Sequence, residues 1–180
     1  MIVRLGILSV VLLAGISPSA LVAHSGDGIY AFDQLTIEQG LSQSTVQAIL
    51  QDRDGLMWFG TKDGLNRYDG YNFVVYRHDP ERPSTTLSDN DVHTLFQDSD
   101  GGIWVATAGG GLCRYDNSTE EFEQFNHDPS DPGALSAGNI TVIFEDSRKS
   151  LWVGTEQGLN RYNATTNSFI HFRYVDRDGA

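Results

Sequence analysis

Two triplets, His78-Asp79-Pro80 and His127-Asp128-Pro129, are the residues of this chain whose types first suggest chemistry. A histidine beside an aspartate can move protons at neutral pH. The two triplets recur at matching places, however, and proline fixes φ, so a repeated loop shape accounts for them better than acid–base work. Asp52-Arg53-Asp54-Gly55 and Asp98-Ser99-Asp100-Gly101 match the opening of a calcium loop. No bidentate Glu follows at the required spacing, and the third copy, Asp146-Ser147-Arg148-Lys149, puts basic side chains where ligands would stand. Hairpin turns explain all three better. Arg67, Arg114 and Arg161 could together hold an anion, or each could pair with a nearby acid such as Asp69, Asp116 and Glu156. Pairing is the expectation, because every copy keeps the arginine. Cys113 is the single cysteine, so no intrachain disulfide can form, and its counterparts are Asn66 and Asn160. It reads as a buried bystander. No catalytic residue, metal ligand or cofactor-binding residue is expected.

These candidates recur because the chain repeats. Trp58-Phe59-Gly60-Thr61 returns as Trp104-Val105-Ala106-Thr107 and as Trp152-Val153-Gly154-Thr155, 46 and 48 residues apart. Each is followed by Gly-Leu-x-Arg-Tyr: Gly64, Leu65, Arg67 and Tyr68, then Gly111, Leu112, Arg114 and Tyr115, then Gly158, Leu159, Arg161 and Tyr162. Leu41-Ser42, Leu87-Ser88 and Leu135-Ser136 lead in at the same spacing. A fixed period of this size signals a solenoid or a propeller. The first unit reads as four strands, Val46–Gln51, Leu56–Thr61, Leu65–Tyr68 and Phe73–Arg77, punctuated by Asp54-Gly55, Asp63-Gly64 and Asp69-Gly70. Asp-Gly suits turns that need φ > 0. No helical period competes. Both faces of the tryptophan strand are largely apolar, as a sheet sandwiched between two others requires. The small residue two places after each Trp is expected to leave room for a large ring from a neighbouring blade. The fold expected is all-β: a partial propeller of three four-stranded blades in an open arc.

The boundaries that follow are a leader over 1–23, a strand-bearing segment over 24–40, and blades over 41–86, 87–134 and 135–180. Arg4 is the one charge before His24, Leu5–Ile16 is apolar, and small residues follow Pro18, which is the order of a secretory signal peptide. Cleavage is expected after Ala23 or Ser25. Removing 1–23 leaves 157 residues with 11 basic and 24 acidic side chains, a net charge of −13. Without clustered Lys and Arg such a surface excludes nucleic acid as a partner. Tyr30–Thr36 is expected to form an outer strand able to pair within a last blade.

The sequence from Tyr30 onward, with Leu-Ser, then Val46, Val92 or Ile140, an Asp, Trp-x-Gly/Ala-Thr and Gly-Leu-x-Arg-Tyr, resembles the two-component regulator propeller repeat. Ala108-Gly109-Gly110-Gly111 holds one residue more than its counterparts, and Asn163 stands where the others have Asp69 and Asp116. The resemblance implies the periplasmic sensory part of a bacterial membrane receptor, usually a histidine kinase and sometimes a diguanylate cyclase. It implies further blades and signalling domains as partners in a longer receptor, membrane attachment only through segments not in this sequence, and a small-molecule or saccharide ligand. Such a ligand is expected to meet loops at one end of the channel, near the innermost strands Val46–Gln51, Val92–Gln97 and Ile140–Glu145. Two alternatives stand beside this. One is a propeller enzyme such as a sialidase-like hydrolase or a lyase, for which Ser99-Asp100-Gly101 is a loose match to the sialidase Asp-box. The other is a plain interaction scaffold.

Overall fold

The computed structural model describes residues 21–25, 28–32 and 34–173. Most of the expected leader, and the tail after Arg173, lie outside them. Leu21–Ser25 (β1) and Gly28–Phe32 (β2) form an antiparallel hairpin with Leu21 opposite Phe32. The expected strand over Tyr30–Thr36 is therefore placed early. It ends at Phe32, and its partner is β1 rather than a blade strand. Thr36 instead caps a short 3-10 turn at Ile37–Gln39, its hydroxyl accepting from the Glu38 amide while the Gln39 side chain accepts from the Thr36 amide. That reciprocal cap stops the extended run. The hairpin belongs to a unit ending at Gln34, separate from the unit that starts at Leu35.

The second unit is three four-stranded antiparallel meanders. Blade one is β3 (Val46–Gln51), β4 (Met57–Thr61), β5 (Gly64–Tyr68) and β6 (Phe73–Tyr76). Blade two is β7 (Val92–Gln97), β8 (Ile103–Thr107), β9 (Gly111–Asp116) and β10 (Glu121–Phe125). Blade three is β11 (Ile140–Glu145), β12 (Leu151–Thr155), β13 (Gly158–Asn163) and β14 (Ser168–Phe172). Among the described residues the one helical piece is the 3-10 turn. The first strands lie side by side, β3 against β7 and β7 against β11, which makes them the inner edge of the arc. Each carries the same irregularity, between Val46 and Ala48, Val92 and Thr94, and Ile140 and Val142. A bulge at one repeated place bends each inner strand alike.

The glycine that opens the third strand has a backbone reason. Gly64, Gly111 and Gly158 have φ of +106°, +85° and +129°, and a Cβ there would run into the carbonyl oxygen of Tyr76, Phe125 or Phe172 on the fourth strand. Only glycine permits both the conformation and the approach.

The tryptophan strand of blade two is buried on both faces, as expected, with every residue of β8 buried, while β4 and β12 are buried except for half-buried Met57 and Trp152. Trp58 of blade one packs edge-on against Tyr115 of blade two, with ring centroids 5.1 Å apart, in a cluster with Leu65, Leu87, Val92, Ile103 and Phe122. Trp104 of blade two meets Tyr162 of blade three at 5.0 Å in the matching cluster with Leu112, Leu135, Ile140, Leu151 and Phe169. Trp58 and Trp104 are thus each packed with the tyrosine and phenylalanine of the next blade. One expectation is corrected here. The space beside Gly60 is filled by Val92 and not by an aromatic ring: a Cβ at Gly60 would lie 2.7 Å from the Val92 side chain and 2.8 Å from its carbonyl. The inner strand of the next blade comes so close that even a methyl group at Gly60 would clash.

Candidate ligand-facing site

The antiparallel order sends the chain repeatedly between two ends of the arc. One end carries the β3–β4, β7–β8 and β11–β12 turns, each opened by an aspartate. Asp52 Oδ1 accepts from the amides of Asp54 and Leu56, Asp98 Oδ1 from those of Asp100 and Gly102, and Asp146 Oδ1 from those of Arg148 and Ser150. The second oxygen accepts the indole N–H of the blade's own tryptophan, at 2.7, 2.7 and 2.9 Å. Both oxygens are engaged, so these acids anchor turns and tryptophans. The Trp152 indole, with the Ser150 amide, holds the Asp146 carboxyl below its ordinary value. Among the described residues no group of three or more His, Cys, Asp or Glu side chains is placed to hold a metal ion.

The arginines sit beside these tryptophans. Arg67, Arg114 and Arg161 lie over the rings of Trp58, Trp104 and Trp152, with guanidinium carbons 5.9, 5.5 and 5.9 Å from the centroids. The acid that Arg67 meets is Glu120 of the next blade, at 2.8 Å, and its other head nitrogen donates to the Tyr115 hydroxyl at 2.9 Å. The expected pairing of the arginines with Asp69, Asp116 and Glu156 is therefore corrected. Each arginine leaves the strand on the tryptophan face, opposite the Trp in register, and meets the ring first. Residues of opposite turns do not come together into a common anion site.

The other end carries the Leu-Ser lead-ins. Ser42 donates its amide to Asn66 Oδ1, its hydroxyl lies 2.9 Å from that of Thr61, and Asn66 donates back to Ser42 and to the Phe59 carbonyl. Ser136, Thr155 and Asn160 repeat the arrangement. In blade two Cys113 fills the asparagine's place, 3.2 Å from the Ser88 hydroxyl. It is fully buried, and burial pushes its thiol up, against the pull of the Ser88 hydrogen bonds. His78 and His127 reach the same lead-ins: their Nδ1 atoms lie 2.7 and 2.6 Å from the carbonyls of Leu87 and Leu135. The His-Asp pairs therefore shape the connection between blades. Asp79 and Asp128 turn away to cap their own loops at Glu81 and Ser130.

A cleft of about 550 Å³ opens at this end, lined by His78, Pro83, Ser88, Gly109, Gly110, Gln124, Asn126, His127 and Gly138. A second, of about 740 Å³, lies at the turn end of blade two against Arg114, Asp116, Asn117, Glu121 and Glu123. Neither is lined by the innermost strands that the sequence singles out. A channel needs blades around its whole circumference, and three do not supply them. On β7, His93 Nε2 lies 2.8 Å from the Ile140 carbonyl, while its buried Nδ1 has no partner.

The repeats match the family model described as two component regulator propeller over residues 40–63, 86–109 and 134–157, one segment in each blade. The chain is built of two-component regulator propeller repeats. Over 85 residues it is 41% identical to histidine kinase P4 of Formosa agariphila, covering 47% of this chain and 6% of the kinase. It is also similar to the extracellular domain of BT3049 of B. thetaiotaomicron, assigned as a hybrid two component system. There the TM-score is 0.73 at 33% identity, over 78% of this chain and 20% of that one. The extracellular domain of BT4673 from the same organism shares the fold, with a TM-score of 0.59 at 22% identity, covering 77% of this chain and 21% of that one. So does virginiamycin B lyase of Staphylococcus aureus, at 0.55 and 16%, covering 87% of this chain and 49% of the lyase. This propeller chain spans a small part of the signalling relatives it matches.

Proposed function

We propose that this propeller segment is the ligand-sensing part of an extracytoplasmic receptor domain in a two-component system, with a histidine kinase as the output. The observation that supports it most is the occurrence of the regulator repeat in all three blades, together with 33% identity to an extracellular sensor domain. A diguanylate cyclase output remains the second form of the same reading. The likeness to the lyase is one of fold and brings no chemistry with it.

The lead-in cleft suits the role. Its size lies in the range of about 300–1,000 Å³ usual for small ligands, and Gln124, Asn126, Ser88 and the two histidines offer the hydrogen-bond donors and acceptors that sugar hydroxyls need. The test is export followed by binding. Alkaline phosphatase fused after Ala180 is expected to be active in the periplasm of a Gram-negative host. The purified chain is expected to melt higher with some member of a saccharide panel, since a ligand for the folded state stabilises by mass action. Asn126→Ala, at an exposed position, should remove that shift while leaving the unliganded melt unchanged. An inactive fusion, or a panel without effect, refutes the reading.

A further inference from the structure

Blade two departs from its siblings three times at one corner. Its β8–β9 loop, Ala108-Gly109-Gly110, is one residue longer than Lys62-Asp63 of blade one and Glu156-Gln157 of blade three. Asn126 follows its fourth strand where Arg77 and Arg173 follow theirs, a correspondence fixed by the pairing of Leu112 with Phe125, Leu65 with Tyr76 and Leu159 with Phe172. Cys113 replaces Asn66 and Asn160. Insertions into a repeat fall on loops of one face, often the binding face. Blade one shows what the changes remove. There Arg77 donates to both carboxylate oxygens of Asp63, at 3.1 and 2.9 Å, and the ion pair bridges the loop to the strand end. Blade two has neither partner, and Gly109, Gly110 and Asn126 line the lead-in cleft of about 550 Å³ instead.

The loop wall is bare backbone of necessity. A Cβ at Gly110 would lie 2.6 Å from the Thr107 hydroxyl and 2.7 Å from that of Ser88, so no side chain fits there. The Ser88 hydroxyl lacks the amide donor that Asn66 gives Ser42 at 2.9 Å, and the Cys113 thiol 3.2 Å away is a weak donor in its place. Gln124 spends its amide nitrogen on the Pro83 and Thr86 carbonyls, which leaves its oxygen as the acceptor. His78 and His127 each meet a carbonyl with Nδ1, so that atom carries the proton and Nε2 of the neutral ring is an acceptor. Among the described residues the lining holds no Lys, Arg, Asp or Glu. We propose that this corner of blade two selects an uncharged, hydroxyl-bearing ligand, with Gly109 and Gly110 opening the entrance and Ser88 and Asn126 making the polar contacts. Hydroxyl groups both donate and accept, as this mixture of acceptors and one free amide requires. An anion would find no cation there, on a chain of net charge −12. The proposal rests on the reading of the lead-in cleft as the ligand site.

Thermal melts of the purified chain with two probe sets test it: neutral oligosaccharides and uronate oligosaccharides. At least one neutral probe is expected to raise the melt, and no uronate. Replacing Ala108-Gly109-Gly110 by the Lys-Asp of blade one, together with Asn126→Arg, copies the closed corner. That variant should keep the unliganded melt and lose the neutral shift. Asn126→Arg alone leaves the loop intact, so it does not depend on the graft folding. It is expected to weaken the neutral shift and to admit a uronate, because its guanidinium has no Asp63 equivalent to pair with. A neutral shift that persists in both variants, or a wild-type shift given by uronates alone, overturns the proposal and leaves the sensing role standing. Silence of both probe sets overturns the two together.

Discussion

Blades two and three are nearly the same polypeptide in different surroundings. Both hold a tryptophan bonded to an aspartate six residues before it, an arginine over its ring and a hydrogen-bonded Ser–Thr pair at the lead-in. Trp104 is 1% exposed beneath Tyr162 and Phe125, whereas Trp152 is half-buried and has Phe172 of its own blade as its aromatic neighbour. The difference teaches that a blade's sequence builds its sheet, but its burial comes from the blade that follows. Repeat stability is a sum of units and interfaces for this reason.

The comparison is open to attack by substitution. Trp104→Ala should cost on the order of 3–5 kcal/mol, the range for a buried large aromatic, and Trp152→Ala clearly less. Urea melts measure both, and equal losses would show that blade three is covered after all. Leu112→Ala and Leu159→Ala repeat the test with a smaller side chain. About 2–5 kcal/mol is expected at the buried position, against under about 1 kcal/mol at the exposed one, where little area leaves water. Cys113→Asn sharpens the comparison from the other side. It installs the asparagine that blades one and three already use, so stability should hold or rise, by no more than about 1 kcal/mol, the net worth of a hydrogen bond. Native Cys113 should resist a thiol reagent until the chain unfolds, because it is buried and its thiol is pushed up.

Acid gives the smallest effect. The Asp146 carboxyl is lowered by the Trp152 indole and the Ser150 amide. A group lowered in the folded state contributes above its unfolded value of about 3.9, and that contribution is lost as pH falls through the still lower folded value. Between pH 5 and 8 Asp146→Asn should therefore differ from wild type by a constant amount. The two melting curves should approach each other only in strong acid.

Much of this architecture is legible in the sequence. The first blade's expected strands begin and end within one residue of those observed, because Asp-Gly turns separate each strand from the next. The purposes of the repeated polar residues are harder to read. Asp52, Asp98 and Asp146 resemble ligands in isolation, and the signal that they serve the fold is their constant spacing of six residues before a tryptophan whose N–H needs an acceptor. The Ser–Asn bond links positions 24 residues apart, at Ser42 and Asn66 and again at Ser136 and Asn160, and Cys113 hides it in blade two. The arginines could not be placed from sequence, since neither their strand's orientation nor Glu120 on the next blade is visible there. Hairpin strand β1 was not expected at all, since Leu21–Ser25 follows an apolar run and reads as its end.

The claim at the centre is that each blade is latched to the next by its tryptophan and the following blade's tyrosine. A double-mutant cycle on Trp104 and Tyr162, read by denaturant melts, tests it most directly. The rings are 5.0 Å apart at 70°, so the coupling should be about 0.5–1.5 kcal/mol, as for aromatic pairs in contact. Strict additivity of the two single losses would mean that the rings do not touch across the interface, and the interlocked arc would be contradicted.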